Sequence, residues 1–173
     1  MKSNNNNEIN SKTDNSFLDN DFYKDKTIFC GYASVFNVVD NQGDVVLKEA
    51  VEYLNNSNTD IPILWQHDVK KPIGRLITAY TDDVGLFVYG YIDNNLIYGK
   101  EAKNAILSNV VNSMSIGYKL VKYYQKNNVD EKILNYDRDK YSYVNYLQDI
   151  KILEISIVSL PANNLTCIKI LNN

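Results

Sequence analysis

The sequence predicts one mainly β domain with flanking helices (an α+β fold), built as a closed or nearly closed antiparallel β-barrel. Strand-like runs outnumber helical ones, and no βαβ repetition with glycine-rich turns occurs. The 173 residues, 45% of them hydrophobic, are enough to bury one core. We expect a flexible polar tail over residues 1–26, because this Asn-rich segment buries little apolar surface. Residues 27–173 then form the single domain.

The first half of the domain contains four strand-like runs and one short helix. The runs lie at residues 28–36, 61–67, 73–80 and 84–92. A turn at residues 40–44 follows the first strand, and Gly43 in it can adopt positive φ. Apolar side chains from Leu47 to Leu54 recur at i, i+3, i+4 and i+7, which predicts a helix. The last two runs predict a hairpin with its turn at residues 81–83.

The second half of the domain begins with a helix and ends in strands. Asn94 and Asn95 predict the N-terminal cap of a helix that runs to about Val110. Its predicted inner face consists of Ala102, Ala105, Ile106 and Val110. Further strands are predicted at residues 114–124, 150–160 and 165–171. The polar segment at residues 125–146 predicts a long loop or a loosely formed hairpin.

Charge and composition exclude several classes of protein. A net charge of −3 argues against a general nucleic-acid binder, which needs a basic surface. No apolar run is long enough for a membrane span or a signal peptide, so we expect the chain to stay in the cytoplasm. Cys30 and Cys167 lie in apolar, strand-like segments, which favours buried structural thiols over catalytic ones. No Cys/His spacing suggests a metal site.

The chain contains one histidine, so any chemistry that requires an imidazole must use His67. It follows the apolar run that begins at Ile61, and histidine changes charge readily near neutral pH, which suits a general base. Ser115 is the candidate nucleophile. Strand alternation places Ser113, Ser115 and Gly117 on one small, polar face, and Ser113 is the competing nucleophile.

Glu154 is the most anomalous carboxylate in the sequence, because it interrupts an apolar run that otherwise resembles a buried strand. An unpaired buried carboxylate is costly, so a partner is expected, and a histidine ring N–H would be suitable. The alternatives are a basic side chain as partner, or a position at the rim that is open to water. Asp68 is a poorer partner for His67, since neighbouring side chains in a strand point to opposite faces. Asp44, in a turn, stays open as an alternative.

Four segments, in order, resemble those of the prohead (capsid maturation) proteases of tailed bacteriophages. They are Gly31–Phe36 with Asp40 and Gly43–Val46, then Leu64–Asp68 with Pro72–Gly74, then Met114–Tyr118, and last Glu154–Asn163. The resemblance implies a serine endopeptidase with a fold distantly similar to that of the herpesvirus assembly proteases. It also implies that Ser115 is the nucleophile, His67 the general base and Glu154 the acid that orients it, without a cofactor or metal. The donors for the oxyanion are expected near Ser115 or at Gly74–Arg75.

The resemblance further implies a place and partners. Such an enzyme works inside the immature capsid, in the cytoplasm of the bacterial host. It cleaves the scaffolding protein or the scaffolding segment of the major capsid protein, and often itself, which makes the N-terminal tail a candidate self-cleavage region. Related viral proteases suggest a homodimer by analogy. The alternative is a non-catalytic, protease-like assembly factor that binds scaffold without cutting it.

Overall fold

The computed structural model describes residues 21–55 and 60–171 of the chain. Most elements in these ranges are strands. In chain order the elements are β1 (Lys26–Val35), β2 (Asp44–Val46), β3 (Pro62–Trp65), β4 (Asp68–Thr81), β5 (Gly85–Asp93), α1 (Ile97–Leu107), β6 (Ser113–Lys126), β7 (Val144–Val158) and β8 (Lys169–Ile170). The predicted mainly β character is confirmed. The predicted tail falls largely on residues 1–20, which lie outside the described residues.

The eight strands belong to one sheet in which β7 has the most partners. Its partners are β2, β3 and β6. From β3 the sheet continues through neighbouring strands in the order β4, β5, β1 and β8. β6 is antiparallel to β7, but β2 and β3 run parallel to it. The prediction of an all-antiparallel sheet is therefore wrong at these two pairings. A parallel partner needs a long crossover connection, and a short apolar run such as β3 does not reveal its partner in the sequence.

The hydrogen-bonded ladder does not close into a barrel within the described ranges, because β1 and β6 approach each other without pairing. Residues 166–168 lie beside this gap. The Ile168 N–H donates to the Asn112 carbonyl (3.1 Å), and the Thr166 hydroxyl donates to the Met114 carbonyl (2.6 Å). The predicted last strand is reduced to the two residues of β8, and full closure is not shown.

The predicted helix at residues 47–54 is instead a pair of 3₁₀ turns, Lys48–Ala50 and Glu52–Leu54. Val51, with φ −128°, separates them. Ala50, Val51 and Leu54 are buried, so the predicted contact face is correct although the helix type is wrong. So short a segment gains too few i→i−4 bonds to offset helix nucleation.

Helix α1 is shorter than predicted at both ends. It begins at Ile97, with Leu96 at the N-cap position and no side-chain cap, so the predicted cap at Asn94–Asn95 is wrong. Ala102 is buried in the core as predicted. Val110 lies beyond the end of the helix and is exposed, because the chain has already turned toward β6.

The hairpin formed by β6 and β7 is longer and more regular than predicted. The beginning of β7, from Val144, pairs with the end of β6, at Lys126. The predicted loop at residues 125–146 is thus reduced to about 127–143.

A β-bulge at Leu153 sets the orientation of Glu154. Gly117 of β6 pairs with Glu154, but the next pair is Tyr118 with Ile152, so Leu153 is the extra residue. The bulge reverses the alternation of side chains, and isoleucines on both sides of it reach the core: Ile150, Ile152, Ile155 and Ile157. Glu154 consequently points away from the core. Bulges commonly re-aim a side chain in this way.

The core is one large apolar cluster enclosed by the strands and covered by α1. Cys30 is buried within the sheet, but Cys167 is exposed, so the predicted burial is correct for the first thiol and wrong for the second. Among the described residues, no helix has the length and apolar character that a membrane crossing requires.

Candidate active site

His67 lies in the tight turn between β3 and β4, beyond the strand end where the sequence placed it. Trp65 pairs with Asp68, so Gln66 and His67 are the two central residues of the turn. Both have left-handed backbone conformations, with φ values of 57° and 58°. Two successive positive φ values are typical of a type I′ turn, which favours Asn and Gly. For residues with a Cβ this conformation costs about 1–2 kcal/mol each, so other contacts must stabilise the turn.

The end of β7 supplies these contacts. The Gln66 N–H donates to the Ile157 carbonyl (3.1 Å), and the His67 N–H donates to Ser156 Oγ (3.1 Å). The Gln66 side-chain amide donates to Ser159 Oγ (2.8 Å) and accepts the Ser159 N–H (3.1 Å). The turn that carries the imidazole is therefore attached to β7 by both main-chain and side-chain bonds.

The bulge turns the Glu154 side chain away from the core, and on that side of the sheet its carboxylate contacts the His67 ring. The distance between Glu154 Oε1 and His67 Nδ1 is 2.6 Å. The Glu154 side chain is 12% exposed and that of His67 is 42% exposed. An ionised carboxylate only accepts hydrogen bonds, so with Glu154 ionised the donor is Nδ1–H, and a neutral ring then has its lone pair on Nε2. Of the alternatives that the sequence left open for this carboxylate, the structure shows the histidine partner.

Ser156 is a site residue that the sequence analysis missed. Its hydroxyl donates to Glu154 Oε2 (2.7 Å) and accepts the backbone N–H of His67. The available signal was its position two residues after Glu154, on the same face of the strand. A serine at an alternating strand position is too common to have been selected on that ground alone.

Ser115 lies on β6 directly opposite Ser156. Its side chain is on the face that also carries Gly117, as the alternation predicted, and it is 4% exposed. Ser115 and His67 both line one surface groove. In the part of the chain that the structure describes, no hydrogen bond joins these two side chains. The structure thus places Ser115 in the same groove as His67, without a hydrogen bond to the ring.

Gly117 leaves the space that the Glu154 carboxylate occupies. A Cβ on Gly117 would come within 2.1 Å of Glu154 Oε1 and 2.8 Å of its Cδ. The small polar face of β6, which the sequence analysis interpreted as room for a substrate backbone, is at this position filled by Glu154. Glycine is required here by the close approach of that side chain.

A Gly117→Ala substitution is expected to push the Glu154 carboxylate away from His67. Only the end of a flexible side chain must move, so the free energy of unfolding should fall by about 1–3 kcal/mol, as is usual for an added methyl group at a tight site. The measurement is the low-field ¹H NMR signal of the proton between His67 Nδ1 and Glu154, which a chain with one histidine assigns without ambiguity. We expect the signal to be lost in this variant and retained in Ser113→Ala, and an unchanged signal in Gly117→Ala would contradict the steric argument.

The groove has a volume of about 580 Å³ and lies between two loops. Asn41 and Gln42 form part of one wall, and Leu160–Ala162 form part of the other. Asn41 joins the walls, because its N–H donates to the Ala162 carbonyl (2.9 Å) and its side-chain amide donates to the Pro161 carbonyl (3.2 Å). An open groove with a hydroxyl and an imidazole along it can accommodate an extended peptide.

The alternative acids have other partners. Asp68 accepts the Lys70 N–H (2.9 Å) and pairs with Lys71, and these two contacts hold the pKa of Asp68 below its usual range. Asp44 accepts the hydroxyl of Tyr118 (2.7 Å). Burial, together with this bond, raises the pKa of the Tyr118 phenol. Neither carboxylate takes the place of Glu154 at the ring.

Gly74, which the sequence analysis considered as an oxyanion donor, lies within the sheet. It pairs with Ile63 on one side and Ile92 on the other. Arg75 forms an ion pair with Asp60. This segment does not belong to the groove that Ser115 lines, so its N–H groups are not suitable donors.

Comparison with solved structures finds the same fold in herpesvirus proteases. The varicella-zoster virus protease is 12% identical with a TM-score of 0.51, and the match covers 86% of this chain and 65% of that one. The KSHV protease in complex with a hexapeptide phosphonate inhibitor is also 12% identical, with a TM-score of 0.56 and coverages of 86% and 66%. At this identity the likeness shows the fold alone.

Sequence comparison is more specific. The prohead protease of Enterobacteria phage HK97 is 32% identical over 97 residues, which are 55% of this chain and 43% of that protein. The chain thus spans less than half the length of that relative. A family model described as caudovirus prohead serine protease matches residues 15–173, which is nearly the whole chain. The resemblance inferred from the four sequence segments is confirmed, and the chain belongs to the caudovirus prohead serine protease family.

Proposed function

We propose that the protein is a serine endopeptidase in which Ser115 is the nucleophile, His67 the general base and Glu154 the acid that orients the base. One observation carries this proposal: the 2.6 Å contact between His67 Nδ1 and Glu154 Oε1, in a groove that Ser115 also lines. Membership of a serine protease family supports the same assignment.

The Glu154 carboxylate has two effects on the ring in this scheme. It fixes the tautomer with hydrogen on Nδ1, so that Nε2 can accept a proton, and it stabilises the imidazolium that then forms. Because no hydrogen bond joins Ser115 to the ring, a movement of the Ser115 or His67 side chain is needed before proton transfer. Such catalytic bonds often tighten only when substrate binds.

The reaction follows from these roles. Ser115 Oγ attacks the scissile carbonyl while His67 Nε2 takes the hydroxyl proton, and the proton then passes to the leaving amine as the peptide bond breaks. Water, activated in turn by His67, hydrolyses the acyl-enzyme and regenerates Ser115. The transient oxyanion requires N–H donors near Ser115. No cofactor or metal takes part in any step.

The family membership supports a more detailed proposal about substrate and place. The substrate is the scaffolding protein or the scaffolding segment of the major capsid protein. Cleavage takes place inside the immature capsid, in the cytoplasm of the bacterial host, and includes self-cleavage within residues 1–26. The active form is a homodimer. The matched phage relative is itself called a prohead protease.

Co-expression of the wild-type chain with its major capsid or scaffolding protein tests the proposal. We expect discrete truncation of the partner, seen as new intact masses, and suppression of these products by a serine-directed phosphonate. Peptide mapping should then find the phosphonate on Ser115. The mapped cleavage site supplies a peptide substrate for kinetic measurements.

The opposite outcome is also informative. A partner that binds the folded chain but keeps its full mass would overturn the endopeptidase assignment in favour of a non-catalytic assembly factor. Truncation that resists the phosphonate would remove the serine mechanism but leave peptidase activity.

A further inference from the structure

We propose that Ser156 is a positioning residue that fixes both the Glu154 carboxylate and the turn that carries His67. The inference rests on the proposed catalytic roles of those two residues. It assigns to the site a fourth side chain, which acts through the acid and the base and does not touch the substrate.

The two contacts use the only hydrogen of the Ser156 hydroxyl and one of its two lone pairs. It donates its only hydrogen to Glu154 Oε2 at 2.7 Å and accepts the His67 N–H at 3.1 Å. The residue is 0% exposed. A buried hydroxyl whose hydrogen is bound to a carboxylate is not available as a nucleophile. Ser156 is therefore distinct in role from Ser115, although the two face each other across the ladder.

The two carboxylate oxygens of Glu154 are held by different partners. Ser156 binds Oε2, and this leaves Oε1 directed at His67 Nδ1. Without the hydroxyl, the carboxylate could rotate about its last side-chain bond, and the contact at Oε1 would be kept for only part of the time.

The same hydroxyl stabilises a backbone that is otherwise unfavourable. It accepts the N–H of His67, which has a φ of 58°, while the Gln66 contacts hold the residue before it. Loss of Ser156 would leave this N–H without its acceptor and free the ring to tilt. Because Ser156 Oγ bonds both residues, its loss would disturb the positions of the Glu154 carboxylate and the His67 ring together.

The test compares Ser156→Ala with Ser156→Thr, which keeps the hydroxyl. We expect Ser156→Ala to lower kcat/KM for the mapped peptide by about 10- to 100-fold, mainly in kcat, as for loss of a hydrogen bond to a charged group. The low-field signal of the His67–Glu154 proton should broaden or disappear. Ser156→Thr should retain this signal and most of the activity.

Ser113→Ala is the matched control, since it removes a hydroxyl from the same sheet that donates only to Asn112 Oδ1. An unchanged signal and kcat in a folded Ser156→Ala protein would overturn the proposal. If the Ser156 variants fail to fold, NMR of the wild-type protein provides the test. The Ser156 hydroxyl proton should exchange slowly with water and show a nuclear Overhauser effect to the His67 amide proton. Absence of that contact would overturn the proposal as well.

The NMR and cleavage measurements distinguish a failure of the role of Ser156 from a failure of the endopeptidase assignment. The NMR signals require no substrate, so they test Ser156 even if the wild type cleaves nothing. Conversely, if Ser115→Ala abolishes cleavage while Ser156→Ala leaves it intact, the endopeptidase assignment stands and only the role of Ser156 is lost.

Discussion

Ser115→Ala is expected to abolish truncation of the capsid or scaffolding protein in co-expression. In the proposed mechanism Ser115 Oγ forms the acyl-enzyme, and its loss leaves only the slow residual catalysis of a site without a nucleophile. In comparable triads this loss amounts to several orders of magnitude in kcat. Intact mass measurement of the co-expressed partner, with wild type and variant at equal levels, detects the difference directly.

Ser113→Ala provides the control for this experiment. Ser113 is on the same face of β6, but its hydroxyl donates to Asn112 and it pairs with Val158 at the end of the ladder. We expect Ser113→Ala to truncate the partner normally. If the Ser115→Ala variant still truncated the partner and the Ser113→Ala variant did not, Ser113 would be the nucleophile.

His67→Ala is expected to lower peptide turnover by several orders of magnitude. At neutral pH a serine hydroxyl is a poor nucleophile until a base takes its proton, and the chain has no second histidine that could replace His67. The measurement is kcat for the mapped peptide. Free imidazole, added to the variant, should restore part of the activity because it can enter the vacated space beside Glu154.

His67→Gly separates this chemical effect from an effect on folding. Glycine adopts the φ of 58° without strain, which offsets part of the about 1–3 kcal/mol lost when Glu154 Oε1 has no donor. The free energy of unfolding should therefore fall by less than in His67→Ala. We therefore expect an inactive but fully folded protein. Retention of more than about a tenth of wild-type activity in either variant would remove His67 from the mechanism.

The sequence reveals a site residue most clearly where a polar or charged side chain interrupts an apolar strand. Glu154 stands out because a carboxylate in an apolar strand needs a partner, and His67, one of the alternatives considered, is the partner found. The alternation of small residues around Ser115 likewise indicated the correct face of β6. The catalytic roles of these residues remain predictions that the variants above test.

Other features depend on long-range pairing, which leaves little trace in a single sequence. The turn at Gln66 and His67 lacks the Asn or Gly that normally indicates positive φ, since contacts from β7 stabilise it instead. The bulge at Leu153 has no distinctive residue type. The parallel pairing of β3 with β7 also cannot be derived from the four residues of β3. These are tertiary effects that override local preference.

The central position of β7 also determines at which stage of synthesis and folding the site can assemble. His67 and Glu154 are 87 positions apart, and β3 and β6 are joined to each other only through β7 in the described sheet. A nascent chain that has left the ribosome as far as the β6–β7 loop contains Ser115 and His67 but has no strand to bring them together. Contacts of such high sequence separation form late in folding. In the proposed mechanism, cleavage therefore cannot begin until β7 has been made and has paired with β3 and β6.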